Sequence, residues 1–232
     1  MDDLLDNLVK DCKIILSPIL GQSGAVLYSS FDTLKNGTFY VLGLNPGGSI
    51  GPTISDSLDS ILLSKENAYL DEDWSSEKRH YDVGRHPLQK NLKFLFDYLG
   101  FNLREVCSSN LIFVRSYNQD GCTLTDADLC WNVHRRIIDI VKPKVILVFG
   151  NSSNSPYSYI LNLHKKYINK KIMETNIASG HGKWLCRSFI TNLFSCETLI
   201  LGLPHLSIYS LIDRNEVLIW IKNRINNHIN LK

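Results

Sequence analysis

The sequence predicts an α/β fold, a three-layer αβα sandwich around a mostly parallel, four-stranded sheet. Two observations carry this. Residues 38–44 (TFYVLGL), 144–150 (KVILVFG) and 198–203 (TLILGL) are short, nearly continuous apolar runs, the pattern of strands buried on both faces. Stretches of helical periodicity lie between them, and repeated strand–loop–helix units wind a parallel sheet with helices on each side.

Residues 2–16 set Leu4, Leu5, Leu8, Val9, Cys12 and Ile15 at helical spacing, and Pro18 and Gly21 stop the helix. The 38–44 strand runs into Asn45-Pro46-Gly47-Gly48-Ser49, which is turn chemistry. Residues 50–87 form a polar insertion, with a helix around 57–64 and then a long loop over 66–86. Helical spacing resumes at 88–99 and ends at Gly100, a residue suited to a left-handed helix terminus. A second strand is predicted at 110–114 (NLIFV). Thr125 or Asp126 caps a helix reaching Val141, with Leu129, Val133, Ile137 and Ile140 on one face and His134 on the polar side. Another helix is expected after Pro156, and residues 215–227 form the last. Gly180-His181-Gly182-Lys183-Trp184 reads as a turn between two edge strands.

The chain has 232 residues, suited to a single domain over 1–232, and its 44% hydrophobic content fills a substantial core. A net charge of +2 does not by itself point to nucleic acid. Six cysteines occur without a C-x-x-C pair, which argues against zinc and iron–sulfur sites and for free thiols in a reducing, cytoplasmic setting. No apolar run approaches the length of a membrane span, and the acidic start lacks a signal-peptide core. The expectation is a monomer without metal, cofactor or membrane partner.

In parallel sheets, ligands sit beyond the carboxyl ends of the strands, which singles out two loops. The Gly43-to-Ser49 loop is either a Pro-Gly turn or a phosphate cradle of exposed backbone N–H groups. It lacks the Lys-Ser/Thr of a P-loop, and the chain has no G-x-G-x-x-G, so a nucleotide cofactor is not expected. The second loop, Leu203-Pro204-His205-Leu206-Ser207-Ile208-Tyr209-Ser210, puts a histidine directly after a buried strand. It is either a helix start capped by Ser207 or a ligand-facing histidine with hydroxyl neighbours.

Taken together, these segments resemble the uracil-DNA glycosylase superfamily. Gly43-x-Asn45-Pro46-Gly47 looks like the water-positioning motif of its mismatch-specific and single-strand-selective branches, and His205-x-Ser207 looks like its His-Pro-Ser-Pro-Leu-Ser segment. Asn110 falls where the family carries a base-reading Asn, and residues 131–150 resemble its helix, Lys-Pro and strand ending in Gly. The likeness spans roughly residues 38–210. It implies hydrolysis of an N-glycosidic bond after a nucleotide is flipped out of DNA. Asn45 would hold the attacking water, His205 would donate to the base O2, and Asn110 would read the base edge. Ser49, Ser207 and the Gly47 and Gly48 amides would grip phosphates, and Tyr81 would stack on the base. The charge state of His205 stays open at this level.

Three departures matter. Leu206 and Ile208 replace both prolines of the family segment, and Tyr209 stands where the wedge Leu would be. Asn45 is an amide, which cannot take a full proton as the carboxylates of most glycosidases do. Gly47 replaces a bulky residue that excludes C5 substituents, so uracil or a C5-modified pyrimidine is expected, in repair or in defence against phage with modified cytosine. The competing classes are a degenerate glycosylase fold that binds DNA without cutting it, and a Rossmann-like nucleotide enzyme.

Overall fold

Every residue of β1 (Phe39–Gly43) and β3 (Val145–Phe149) is buried, so the strands at the centre of the sheet need an apolar layer on each face. The computed structural model describes residues 2–48, 50–75, 79–116, 124–168 and 171–229. Side chains alternate between two cores, as the two-residue strand period requires. Tyr40, Leu42, Ile146 and Val148 meet α1 (Asp2–Ile15), α5 (Leu124–Val141) and α6 (Pro156–Tyr167) through Leu8, Cys12, Ile137, Ile138 and Ile160. Phe39, Val41, Val145 and Leu147 meet α4 (Pro87–Leu99) and α7 (Asn215–Ile229) through Leu92, Leu95, Phe96, Leu218 and Ile221.

The sheet has six strands rather than four, in the order β2-β1-β3-β6-β5-β4. β1, β2 (Cys107–Asn110), β3 and β6 (Thr198–Leu203) run parallel. An antiparallel hairpin, β4 (Thr175–Ala178) and β5 (Leu185–Thr191), is inserted after α6 and pairs with β6. The turn expected at 180–184 joins these two strands, as the sequence reading has it.

The second strand is displaced from its expected position. It covers Cys107–Asn110, so Asn110 ends the strand instead of beginning it. Ser108 and Ser109 hide this strand from a hydropathy reading. Both are fully buried, and the Ser109 hydroxyl donates to the Val26 carbonyl (2.6 Å) while the Ser108 N–H donates to Ser29 Oγ (3.0 Å).

The polar insertion is also more ordered than expected. It contains α2 (Ile54–Ser60), capped by a reciprocal Thr53–Asp56 box, and α3 (Ala68–Asp71), capped by Asn67. Arg104 grips Asp71 with two bonds of 2.7 Å and holds its carboxyl below the ordinary value. Gln89 of α4 donates to the carbonyls of Ala68 and Glu72 (2.8 and 2.9 Å). Among the described residues, no helix is long and apolar enough to cross a membrane.

His134, expected on a polar helix face, is fully buried. Its Nε2 faces the Leu111 carbonyl at 3.1 Å and its Nδ1 faces the Tyr40 hydroxyl at 2.8 Å. Because a carbonyl can only accept, Nε2 carries the proton and Nδ1 accepts from Tyr40. Burial holds this imidazole down to about 4. The unfolded chain takes up a proton below the ordinary histidine value of about 6.5, whereas the folded one resists until about 4. The stabilisation is therefore complete above about 6.5 and is lost as pH falls toward 4, at up to about 1.4 kcal/mol per pH unit. Urea titrations across that window should show this slope flattened in His134→Gln. Tyr40→Phe should cost about 1–3 kcal/mol at neutral pH by stranding the buried Nδ1.

Candidate functional site

The carboxyl ends of the parallel strands converge on one edge of the sheet, and three of the residues singled out from sequence are there. Asn45 follows β1, Asn110 ends β2 and His205 follows β6. Gly43 and Asn110 are register partners. A Cβ on Gly43 would sit 2.1 Å from Asn110 Oδ1 and 2.8 Å from the ring of Phe149. The missing side chain is what lets the amide and the ring close over β1.

Asn45 is half-buried, and its Nδ2 donates to the carbonyls of Pro46 (2.9 Å) and Ser116 (3.2 Å). Both partners are acceptors, so the amide orientation is fixed, and Oδ1 is the atom left to accept from a water. The Ser116 N–H returns a bond to the Pro46 carbonyl (3.0 Å), and Arg115 donates to the Gly47 carbonyl. The loop is thus braced from the segment that follows β2. Gly48 has φ +89°, a conformation side chains rarely adopt, and a Cβ on Gly47 would meet nothing within 4 Å. Ser49 lies outside the described residues.

His205 is held by its own loop. The Ser207 N–H donates to its Nδ1 (3.3 Å), and Ser207 Oγ lies 2.7 Å from the same atom. An N–H can only donate, so Nδ1 is an acceptor and the neutral imidazole carries its proton on Nε2. Burial, with a contribution from nearby His86, holds His205 below its ordinary value. His86 caps α4 by accepting from the Leu88 N–H, and burial lowers it as well. Ser207, expected at a phosphate, instead orients the histidine. The loop as a whole is clamped by Asn91 of α4. This buried amide donates to the Leu206 carbonyl (2.9 Å) and accepts from the Leu211 N–H and the Ser210 hydroxyl (both 3.3 Å).

Two expectations are corrected. Tyr209 is only 1% exposed, and its hydroxyl donates to the Ser179 carbonyl (2.8 Å), so it ties the loop to the β4–β5 turn and cannot wedge into DNA. Its neighbour Ile208 is 66% exposed and stands at the loop surface. Tyr81, expected to stack on a base, packs its ring edge-on against His86 at 5.1 Å. The rings at Asn110 are Phe149 and Tyr28, whose phenol is raised by burial and acted on in the other direction by Arg115 and by Asn110. Tyr28 and Phe149 continue through Tyr69 to Trp74, with ring separations of 5.5–6.4 Å, forming an aromatic wall. Sequence reading missed Tyr28, Phe149, Asn91 and Arg115, because each acts through a contact with a distant segment.

A cleft of about 340 Å³ opens beside His205. The loop after β3 forms one wall, and the β4–β5 turn forms the other through Lys183 and Trp184. Asn151 holds these walls together by donating to the carbonyls of Leu185 (2.6 Å) and Gly202 (3.0 Å). Burial raises the thiols of Cys12, Cys107, Cys130 and Cys186 to about 12, which makes these four poor nucleophiles. Among the described residues, no group of three or more His, Cys, Asp or Glu is placed to hold a metal ion.

The chain matches no protein-family model and no curated protein. The chemistry of the site therefore rests on its geometry.

Asn91→Leu should free the His205 loop. Its amides should exchange faster in hydrogen–deuterium exchange, and the fold should lose about 1–3 kcal/mol because the Leu211 N–H is stranded in the core.

Proposed function

We propose that the protein is a monofunctional DNA glycosylase, similar to the uracil-DNA glycosylase superfamily, that hydrolyses the N-glycosidic bond of a flipped-out uracil or C5-modified pyrimidine and leaves an abasic site. The observation that carries this reading is a pair of atoms beyond the ends of β1 and β6, the two strands that flank β3: an acceptor on Asn45 Oδ1 and a donor on His205 Nε2. Breaking a glycosidic bond builds positive charge on the sugar and negative charge on the departing base. An acceptor holds a water for the first, and a neutral N–H stabilises the second at the base O2.

Asn45 takes no proton, so its water attacks late, after the oxocarbenium-like sugar has formed. Asn110 offers both donor and acceptor to a base edge, and Tyr28 and Phe149 supply the aromatic surface. The open space at Gly47 suits a substituent on C5. Arg115, whose Nε is buried without a partner, lies against Gly48 and Gly51 and suits a phosphate near that loop. Ile208 is the wedge in this reading, since it is the exposed apolar residue of the His205 loop. Repair and defence against phage carrying modified cytosine are both compatible with this chemistry. DNA is the partner, and the protein works without a cofactor.

One observation favours a second reading, a DNA-binding module of the same fold that no longer cuts. Asn110 is only 4% exposed and lies against Tyr28, so an entering base must displace the phenol.

Oligonucleotides carrying uracil, a thymine mismatch, hydroxymethylcytosine or its glucosylated form separate the two in an alkaline-cleavage assay. Alkali-labile breaks on at least one substrate are expected. Asn45→Ala should reduce the rate about 10²-fold and His205→Ala about 10²–10³-fold, with folding unchanged. Bound DNA without breaks on any substrate would leave the binding module. Because the working His205 is neutral and its pKa is lowered, the rate should hold from about pH 8 to about 6.5 and fall only in more acidic buffer. A rate that rises on acidification through that range would contradict the neutral donor.

A further inference from the structure

The β4–β5 hairpin lies beside β6, so its turn stands next to the loop that carries His205. The turn is rigid. The Ser179 N–H donates to the Trp184 carbonyl (2.9 Å), the Trp184 N–H to the His181 carbonyl (3.1 Å) and the His181 N–H to Ser179 Oγ (3.1 Å). Gly180 and Gly182 take φ +73° and +54°, and Tyr209 bonds the turn to the His205 loop. What this scaffold presents is Trp184. His181 packs against the indole at 4.4 Å and 36°, and 38% of the side-chain-bearing residue stays open to solvent, at the cleft. Lys183 and Arg187 also line the cleft; Glu174 pairs with Arg187 at 3.9 Å, and no carboxylate is among the described lining residues.

A cleft of about 340 Å³ is in the range that takes a ligand larger than one pyrimidine. A braced, part-exposed indole beside the Lys183 ammonium and the Arg187 guanidinium, which is shared with Glu174, fits an unpaired base with its phosphate, because stacking needs only a π-face and cations follow the backbone. We infer that this cleft is a stacking subsite for a second nucleobase of a single DNA strand, with Trp184 as the platform and Lys183 and Arg187 along the phosphates. The inference rests on the reading that DNA is the ligand, and it goes beyond that reading by assigning the protein a preference for single-stranded DNA. A base within a duplex is already stacked and paired, and cannot reach Trp184 without being unstacked.

The test is fluorescence anisotropy with a labelled short oligothymidylate, free or annealed to its complement, against wild type, Trp184→Ala and Trp184→Phe, with thermal melts to verify folding. Wild type should prefer the free strand. Trp184→Ala should weaken free-strand binding about ten-fold or more, Trp184→Phe should restore most of it, and duplex affinity should stay the same. Equal free-strand affinity for Trp184→Ala and wild type would overturn the subsite, as would an equal loss on free strand and duplex. The parent reading fails separately: binding through Trp184 with no base released on any substrate removes the catalysis and keeps the subsite. Base release with free-strand binding indifferent to Trp184 removes the subsite and keeps the catalysis. A wild type that binds neither form of DNA overturns both.

Discussion

The loop that carries His205 depends on one buried amide. Asn91 projects from α4, is 6% exposed, and spends its side chain on the two ends of that loop, at Leu206 and Leu211. A buried amide is costly unless paired, so helix and loop hold each other in place. Leu206 and Leu211 are fully buried and act as apolar pins on either side of the exposed Ile208. Rigidity that proline would supply by restricting the backbone comes instead from core packing and a hydrogen-bond clamp. The same helix starts at His86, which bears on His205, and holds the insertion through Gln89. α4 is therefore the spine on which one side of the site is mounted.

The other side is built from β1 and β2. β1 is buried along its whole length, and the polar amide of Asn45 comes only after its end. Gly43 is the last residue of β1, and the absence of a Cβ there brings Asn110 and Phe149 over the strand end. Leu111 and Ile112 then donate to the carbonyls of Gly43 and Leu44 (2.8 and 2.9 Å), and Ser116 reaches Pro46. The two chain segments leave the sheet side by side, and that pairing is what orients the amide of Asn45.

Much of this was legible in the sequence, and the failures have a common cause. β1, β3 and β6 appeared as apolar runs because both their faces are covered. Gly100, with φ +80°, ended its helix as expected. β2 was misplaced because Ser108 and Ser109 are buried, the Ser109 hydroxyl by bonding the distant Val26 carbonyl, so polarity was mistaken for exposure. β4 and β5 were foreseen only as strands flanking a turn and left out of the central sheet, because Thr175–Ala178 has one half-covered face and β5 carries Arg187 and Ser188. The burial of Tyr209 was missed for the same reason: its place is invisible until Ser179 is seen to accept from the tyrosine. Asn45 and His205 could be singled out because they follow apolar strands, whereas Asn110 was singled out by resemblance and placed at the wrong end of its strand.

The polar groups at the ends of β1, β2 and β6 are dipoles rather than charges. His205 is a neutral donor, His86 is held neutral by burial and capping, and Asn45 and Asn110 are amides. In a partly dry pocket, a fixed neutral donor is a strong partner for a developing anion and carries no desolvation cost for a buried cation. A protonated His205 would lose the acceptor that Ser207 bonds to, and the loop would have to reorganise. Lowering the imidazole pKa by burial therefore does two things at once. It keeps the donor in the tautomer that faces outward, and it keeps intact the short loop contact that aims it.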